Sequence, residues 1–389
     1  MNMRGSSIAM AVALALLSGC SWMKTNTTKR ENIAPPKALV ELTPSLSVQS
    51  VWSSGSGKGA AKSGVRLHPV VVDGHVYVAG VDGRISALDA ASGKTLWHES
   101  VKFRLTGGPG VEGDLLVVGS LDGDVLAFDA KSGTERWRAR VSSEVVTAPA
   151  ISQGLVVVRC NDGRMYGFDA TDGKQRWIFD RGNVPLLSLR GNAAPTINGE
   201  LVISGTDGGK VIALRSSDGA TAWEHAVANS DGRTEVERLS DIDGRIVIAG
   251  DVAYAAAYRG QVVALNAQNG RPLWSRPLSS YGSVAASASQ VYAVDSDSLV
   301  WALDRSSGAS MWKQDAFQNR WLSSPAVQGD YLVVGDIEGY VHWLSISDGR
   351  EVARQRLSKV AIQGSPQVVG DTVYVEDIEG RIGAYRIAI

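Results

Sequence analysis

The chain has 389 residues, of which 44% are hydrophobic and 20% are charged. Its 39 lysines and arginines nearly balance its 40 aspartates and glutamates, so no general electrostatic field attracts nucleic acid. A chain of this composition buries a large core, which excludes a disordered protein and a basic nucleic-acid-binding domain. The only cysteines, Cys20 and Cys160, are too few for a disulfide framework, a zinc cluster or a paired-thiol redox motif in the mature chain.

Residues 1–19 are predicted to be a lipoprotein signal peptide. Arg4 precedes a run of about ten apolar and small residues, which is too short to cross a bilayer as a mature helix. The sequence LSGC at residues 17–20 resembles the bacterial lipobox, which implies lipidation of Cys20 and cleavage before it. An ordinary signal peptide with a chance cysteine is the alternative. By resemblance to the sorting rule of Gram-negative lipoproteins, Ser21 favours the outer membrane, with the body of the protein facing the periplasm.

Residues 20–45 are predicted to form the lipidated N-terminus and a tether. This segment is polar and contains Pro35, Pro36 and Pro44, a composition typical of an extended linker. Residues 46–389 are predicted to form the folded domain. Within it, the sequence GSGKG at residues 55–59 lacks the order of a phosphate-binding loop, and we expect a flexible connection there, while the surrounding stretch 54–64 is assigned no role.

A repeat with a period near forty residues fills the folded domain. Copies of the sequence ALDAASGKTLW recur and end at a tryptophan: Trp97, Trp137, Trp177, Trp223, Trp274 and Trp312. A seventh copy has Ala353 where tryptophan is expected. An eighth frame opens at Pro366 and stops before its tryptophan, whereas Trp52 near the other end has no preceding half-repeat.

Each frame contains four short apolar runs separated by turn dipeptides such as Asp73-Gly74 and Asp82-Gly83. Four antiparallel strands in such a period predict a propeller blade, whose faces neighbouring blades must cover. The N-terminal strand around Trp52 would complete the blade that opens at Pro366. We therefore predict an all-β fold, an eight-bladed β-propeller with four-stranded antiparallel blades, closed by an N-terminal strand. The recurring tryptophans are predicted to tie adjacent blades together.

The repeat resembles the tryptophan-docking repeat of quinoprotein-type eight-bladed propellers, a resemblance that implies fold rather than activity. Quinoprotein dehydrogenases place calcium beside the quinone and use an aspartate base, and many have adjacent cysteines, which this sequence lacks. Its five histidines have no metal-ligand spacing, and Cys160 is predicted to be a small buried hydrophobic residue. We therefore expect no enzymatic activity, cofactor or metal site, with a periplasmic quinoprotein oxidoreductase as the main alternative.

Two neighbouring connections between blades are enlarged. The gaps from Trp177 to Pro195 and from Trp223 to Ile246 are 18 and 23 residues, and all such connections emerge on one side of a propeller. The first gap carries leucines and Arg190, and the second is highly charged, so we predict a protein-docking surface with an apolar anchor and a charged rim. In the alternative, Leu187 or Leu189 packs under its own loop and Asp241 caps a turn.

The lipobox, the short tether, the eight blades, and the strings LLSLRG and RLSDID in the two enlarged gaps resemble the BamB family. These are propeller lipoproteins of the outer-membrane β-barrel assembly (BAM) machinery. The resemblance implies a non-enzymatic scaffold that binds the POTRA region of BamA and assists unfolded outer-membrane β-barrel proteins. A generic periplasmic protein-binding lipoprotein is a further alternative. The partner-binding positions implied by the resemblance are Leu187, Leu189, Arg190, Asp241 and Asp243.

Overall fold

Eight four-stranded antiparallel sheets form a closed ring in the computed structural model, which describes residues 34–61, 63–182, 193–228, 234 and 239–388. In seven sheets the strands follow chain order from the innermost to the outermost. In the last sheet the N-terminal strand β1 (Val48–Gly55) takes the outermost place and pairs antiparallel with the C-terminal strand. The predicted all-β, eight-bladed propeller closed by an N-terminal strand is therefore confirmed.

The strands of each blade are given from the innermost to the outermost. Blades 1 to 4 consist of β2 (Val70–Val72), β3 (His75–Ala79), β4 (Arg84–Asp89), β5 (Thr95–Ser100); β6 (Leu105–Glu112), β7 (Leu115–Ser120), β8 (Asp124–Asp129), β9 (Glu135–Arg140); β10 (Ala150–Ser152), β11 (Leu155–Arg159), β12 (Met165–Asp169), β13 (Gln175–Phe179); β14 (Thr196–Asn198), β15 (Leu201–Gly205), β16 (Lys210–Arg215) and β17 (Thr221–Ala226). Blades 5 to 8 consist of β18 (Val247–Ala249), β19 (Val252–Ala256), β20 (Gln261–Asn266), β21 (Pro272–Pro277); β22 (Ala285–Ala286), β23 (Gln290–Val294), β24 (Val300–Asp304), β25 (Ser310–Gln314); β26 (Ala326–Gln328), β27 (Tyr331–Gly335), β28 (Tyr340–Ser345), β29 (Glu351–Arg356); β30 (Gln367–Val369), β31 (Thr372–Glu376), β32 (Arg381–Ile387) and β1.

The core lies in the two middle strands of each blade. All six residues of β7 are buried, whereas in the outermost strand β9 only Trp137 is. Neighbouring blades cover both faces of the middle strands, which explains their continuous apolar runs. The outermost strand covers the core with one face only, so its residues alternate between polar and apolar.

The predicted tryptophans do join consecutive blades. The indole of Trp52 packs against Gly93 of the next blade, where a Cβ atom would lie 2.4 Å from the ring, and the same contact repeats around the propeller. Gly93 also has a positive φ of 69°, so this turn position requires glycine both for its backbone and for the space that the indole occupies. Most of these indoles also donate a hydrogen bond to a carbonyl of the next blade, as Trp97 does to Ala130 at 2.9 Å.

Ring closure explains why Ala353 replaces a tryptophan. An indole at this position would dock on the third-to-fourth-strand turn of blade 8, but that turn does not exist because β32 and β1 belong to opposite ends of the chain. Ala353 instead lies in a core cluster with the fully buried Trp343, against which Leu46 packs. The indole of Trp343 donates to the side-chain oxygen of Gln328 at 2.7 Å, so another element of blade 7 supplies the aromatic ring.

The expectation of a flexible connection at residues 55–59 is wrong. Ser56 and Ala61 donate backbone hydrogen bonds to Gly380 and Ile378 of blade 8, and the Gly59 carbonyl accepts one from Val81 of blade 1. A Cβ atom at Gly59 would lie 2.4 Å from the backbone nitrogen of Gly380, so only glycine permits this approach. The segment therefore fastens together the two blades where the ring closes.

Residues 37–46, which the sequence assigns mostly to the tether, lie against blade 7. The backbone of Lys37 bonds to Gln318, and the backbone nitrogens of Ser45 and Leu46 donate to the Val352 carbonyl. Side chains hold the same segment, because Arg320 donates to the Lys37 carbonyl at 2.9 Å. The part of the proposed tether that makes no such contact is therefore shorter than residues 20–45.

A buried charge network lies beneath this segment in blade 7. Both ring nitrogens of the fully buried His342 face carboxylates, Nδ1 that of Glu351 at 2.7 Å and Nε2 that of Asp336 at 3.2 Å. Arg320 bonds to Asp336 at 2.6 Å, and Arg354 bonds to Glu351 at 2.7 Å. Burial raises the pKa of Asp336, but the hydrogen bond and charge of His342 outweigh it and hold that pKa below its ordinary value. Each of these two carboxylates is thus bonded to an arginine as well as to the imidazole, so the buried carboxylates of this blade have partners.

Candidate functional site

The strand order fixes which parts of the chain share a face of the disk. Because the strands of a blade alternate in direction, the turns between second and third strands and the connections between blades emerge on the same side. We call this side the loop face. The two longest of the predicted gaps become the connections 180–195 and 227–246, which we call the long connections. No helix among the described residues is long and apolar enough to cross a membrane.

Parts of both long connections, residue 193 of the first and residues 227, 228 and 242 of the second, converge on one turn of blade 4, residues 206–209. In the second long connection, the Ile242 backbone donates to the Thr206 carbonyl at 3.2 Å. Ala193 of the first long connection and Ile242 are fully buried in the same core cluster. The two segments that the sequence grouped by length therefore meet on a common rigid support.

A buried ion pair holds the end of the first long connection. Arg159, at the end of β11 in blade 3, donates to Asp207 in the blade 4 turn at 2.7 Å. The same guanidinium donates to the Ala193 carbonyl at 3.3 Å, and Ser204 donates to it at 3.1 Å. Arg159 and Asp207 are 2% and 6% exposed, so the pair is almost fully removed from water. Blades 3 and 4 and the first long connection are thus joined at one point.

Asp241 and Asp243 lie in the second long connection, and both are buried, with exposures of 0% and 8%. The Asp241 carbonyl accepts a hydrogen bond from the Tyr258 backbone of blade 5 at 2.9 Å, so this stretch is tied to blades 4 and 5. Neither aspartate presents an open carboxylate rim in the described structure. Their burial lets them set the course of the connection, and their role in partner binding stays a prediction.

Leu187, Leu189 and Arg190, the other predicted partner-binding residues, lie outside the described residues. Cys20, the predicted lipidation site, lies outside them as well. The structure therefore locates the two ends between which the LLSLRG sequence runs, Gly182 and Ala193. Both ends belong to the loop face, and Ala193 lies beside the blade 4 turn.

Charged side chains border the long connections on blade 4. Glu224 of β17 bonds to Lys210 of β16 at 2.8 Å and lies 4.0 Å from Arg181 of the first long connection. The hydrogen bond from Lys210 lowers the pKa of Glu224, burial opposes it, and the charge of Lys210 adds to the lowering. This carboxylate is therefore ionised at neutral pH and attracts the Arg181 end of the loop. The border thus carries both signs of charge, as the predicted rim requires.

The described residues do not gather a set of catalytic groups. No cluster of three or more histidine, cysteine, aspartate or glutamate side chains suited to a metal ion occurs in the described ranges. Cys160 is fully buried, as predicted, and burial raises the pKa of its thiol to about 12, so the thiolate needed for nucleophilic attack is not formed at neutral pH.

Arg159 and Asp207 were missed by sequence reasoning. An arginine at the end of the apolar run LVVVR is the signal that could have revealed the first of them, because a buried arginine requires a partner. Nothing local identifies Asp207, whose Asp-Gly dipeptide matches a turn signal seen in several blades. The pairing appears only when blade 3 is placed beside blade 4.

Comparison with known proteins agrees with this architecture. The family model described as outer membrane protein assembly factor BamB matches residues 47–102, 81–314 and 307–388. A relative from Pseudomonas aeruginosa, named outer membrane protein assembly factor BamB, is 47% identical over 354 residues, which cover 91% of each chain. These matches extend across nearly the whole propeller.

Solved structures separate this family from other propellers. The crystal structure of BamB from Moraxella catarrhalis superposes with a TM-score of 0.81 at 27% identity and covers 88% of this chain and 100% of that chain. The quinohemoprotein alcohol dehydrogenase from Comamonas testosteroni reaches a TM-score of 0.70 at 14% identity, covering 87% and 76%, which is a likeness of fold alone. The chain therefore belongs to the BamB family of outer membrane protein assembly factors.

Proposed function

We propose that the protein is a non-enzymatic scaffold of outer-membrane protein assembly. It is anchored by lipid at Cys20 in the outer membrane, faces the periplasm, and binds the POTRA region of BamA through the long connections. Its proposed clients are unfolded outer-membrane β-barrel proteins. Family membership supports the general role, since relatives named as assembly factors match most of the chain. The quinoprotein alternative has only the shared fold in its favour.

One observation carries the choice of surface, the convergence of both long connections on the blade 4 turn. Binding residues are commonly placed on loops that a rigid scaffold holds, since a fixed loop loses less conformational entropy on binding. Ala193 and Ile242 fix the ends of these loops in the core, and the Arg159–Asp207 pair fixes the turn between them. Leu187, Leu189 and Arg190 then supply the apolar and charged contacts, and Asp241 and Asp243 position the second connection.

A pull-down tests the surface. Leu189→Glu and Arg190→Glu should each reduce recovery of BamA from solubilised outer membranes at least about tenfold, because a central contact of this kind commonly contributes about 2 kcal/mol or more. Leu273→Glu and Arg271→Glu make the same charge changes at exposed positions in blade 5 and should leave recovery unchanged. All four variants should keep the thermal midpoint of the parent chain. Normal recovery with both loop variants would remove the site assignment.

Two further experiments test the partner and the anchor. A photocrosslinker at position 189 in living cells should link to BamA, whereas links only to another periplasmic protein would favour a generic binding lipoprotein.

Cys20→Ala should move the protein from the membrane fraction to the soluble periplasm. Retention of that variant in the membrane fraction would contradict lipid anchoring.

A further inference from the structure

Three basic side chains meet where the central channel opens on the loop face. The innermost strands of the blades surround the channel and begin on the loop face, because the blade connections lie there. His68 lies two residues before β2 of blade 1, and Arg245 lies two residues before β18 of blade 5. Blades 1 and 5 are opposite each other in a ring of eight, so these two side chains face each other across the axis.

The third basic residue, Arg66, reaches across the mouth of the channel. Its Nη1 donates to the Tyr281 carbonyl, which lies 2.8 Å away in the connection between blades 5 and 6. Blades 6, 7 and 8 separate this connection from blade 1 on the shorter side of the ring. The contact can therefore be made only over the channel mouth, where Arg66 joins His68, whose Nδ1 lies 3.5 Å from the Arg66 carbonyl.

Arg245 is accessible and yet surrounded by protein. Its residue surface is exposed, but desolvation by the protein around it lowers the pKa of its guanidinium. An exposed surface and a desolvated guanidinium are compatible when the side chain opens into a confined space. The channel mouth is such a space. The Nε atom donates to the Thr196 hydroxyl at 3.1 Å, and no other hydrogen bond from this guanidinium to a described residue occurs.

The arginines at the channel mouth have no acidic partner among the described residues. Within residues 34–61, 63–182, 193–228, 234 and 239–388, neither Arg66 nor Arg245 forms an ion pair. Burial lowers the pKa of His68, and the positive charge of Arg245 lowers it further, which places these two groups within electrostatic range of each other. A partly desolvated guanidinium is costly unless an anion accepts its hydrogen bonds, and its two terminal nitrogens match the geometry of a carboxylate or phosphate.

We propose that the channel mouth on the loop face is a binding site for an anionic group, a carboxylate or a phosphate, held by Arg245 and Arg66 beside His68. Arg245 supplies the terminal guanidinium nitrogens, and its bond to Thr196 fixes the orientation of the guanidinium. The site is distinct from the long connections and does not depend on the proposed binding of BamA. The anion could be a free ion or the carboxylate of a polypeptide whose end enters the mouth.

Calorimetric titration of the full mature chain in chloride buffer tests the site. The probes are inorganic phosphate, a short peptide with a free C-terminal carboxylate, and the same peptide amidated. Saturable binding of phosphate, in competition with the acid peptide, would identify a general anion site. Binding of the acid peptide alone would identify a polypeptide carboxylate as the ligand. Absence of saturable binding by both anionic probes would overturn the proposal, and so would equal binding of the acid and amidated peptides without phosphate binding.

Variants locate the binding. Arg245→Gln should weaken the binding at least about tenfold, as loss of a charged hydrogen-bond donor does. Arg245→Lys, which keeps the charge, should weaken it less. Arg271→Gln makes the same substitution on an exposed turn of the opposite face of blade 5 and should bind as the parent does. If Arg245→Gln fails to fold, Arg66→Gln and Arg245→Lys replace it, and unchanged affinity in both would overturn the assignment.

Discussion

Blades 3 and 8 place a buried charge at the same position of the repeat, but among the described residues only the charge in blade 3 has a partner. The position is the fifth residue of the second strand, Arg159 in blade 3 and Glu376 in blade 8, with exposures of 2% and 3%. The other six blades have small or apolar residues there: Ala79, Gly119, Gly205, Ala256, Val294 and Gly335. Arg159 bonds to Asp207 of the next blade at 2.7 Å, whereas neither carboxylate oxygen of Glu376 has a hydrogen-bond partner among the described residues.

The packing explains why this position is sensitive. A Cβ atom at Gly119 would lie 2.2 Å from Val145, and one at Gly205 would lie 2.3 Å from Ile242, so the position faces the connection that leads into the next blade. A charge there must be neutralised by the next blade or by protonation. Asp207 neutralises Arg159, but burial raises the pKa of Glu376 to about 8, with a smaller contribution from the charge of Asp377. The same position therefore joins two blades in one case and stores unfavourable free energy in the other.

Breaking the Arg159–Asp207 ion pair should have the largest effect on stability. Arg159→Met leaves the Asp207 carboxylate buried without its cation, which should lower the free energy of unfolding by about 3–5 kcal/mol. Urea unfolding measures the loss. Arg138→Gln removes an exposed arginine paired with Glu135 at 2.9 Å and should cost about 1 kcal/mol or less.

A second substitution separates the cost of the lone charge from the loss of packing. Arg159→Met combined with Asp207→Leu replaces both charges by apolar side chains and should recover most of the lost stability, as replaced buried pairs commonly do. Blade 2 has Leu121 at the position of Asp207, so leucine fits this turn elsewhere in the ring. A double variant as unstable as Arg159→Met would show that the ion pair itself is not the source of the effect.

Removing the Glu376 charge in blade 8 should raise the free energy of unfolding, and the gain should depend strongly on pH. The folded state raises the pKa of Glu376 from 4.5 to about 8, so the folded protein binds the proton more tightly. The stability from this group is fully present below pH 4.5 and is lost as the pH rises through about 8, which amounts to about 3 kcal/mol between pH 5 and pH 8. Glu376→Gln should lack this loss.

Urea titrations at pH 5 and pH 8 measure the difference. Glu376→Gln should gain relative to the parent chain at the higher pH, and Glu379→Gln, which changes an exposed carboxyl three residues away, is the control. Parallel pH profiles of the parent and Glu376→Gln would mean that Glu376 finds a partner or water in solution.

The sequence predicted the repeat because its signals are local. Trp97 and Gly93 lie within one eleven-residue copy, and their spacing recurs whatever the rest of the blade contains. Blade number, strand order and closure by the strand around Trp52 followed from that spacing. The order at residues 56–61 was missed because their partners Val81 and Gly380 belong to other blades, and composition alone indicated a linker.

The candidate site was predictable only in outline. Gap lengths placed both long connections on one face, since propeller geometry leaves no other place for extra residues. The burial of Asp241 and Asp243 could not be derived, because the charged residues around them indicated an exposed loop. Arg159 and Asp207 lie 48 residues apart and meet only across a blade boundary. Contacts between blades thus set the limit of what the repeat reveals.

The smallest predicted effect on stability compares two buried neutral donors, one with a hydrogen-bond partner and one without. Trp137 and Trp223 are 7% and 9% exposed and pack on equivalent glycines of the next blade. The Trp137 indole donates to the Ala170 carbonyl at 2.9 Å, whereas the buried Trp223 indole nitrogen has no acceptor among the described residues. Phenylalanine removes the donor and a similar volume in both cases, but only Trp137→Phe also leaves a carbonyl without its bond. Trp137→Phe should therefore cost about 1 kcal/mol more than Trp223→Phe in urea unfolding. Equal losses would mean that the indole bonds around the ring contribute nothing beyond the packing of the rings.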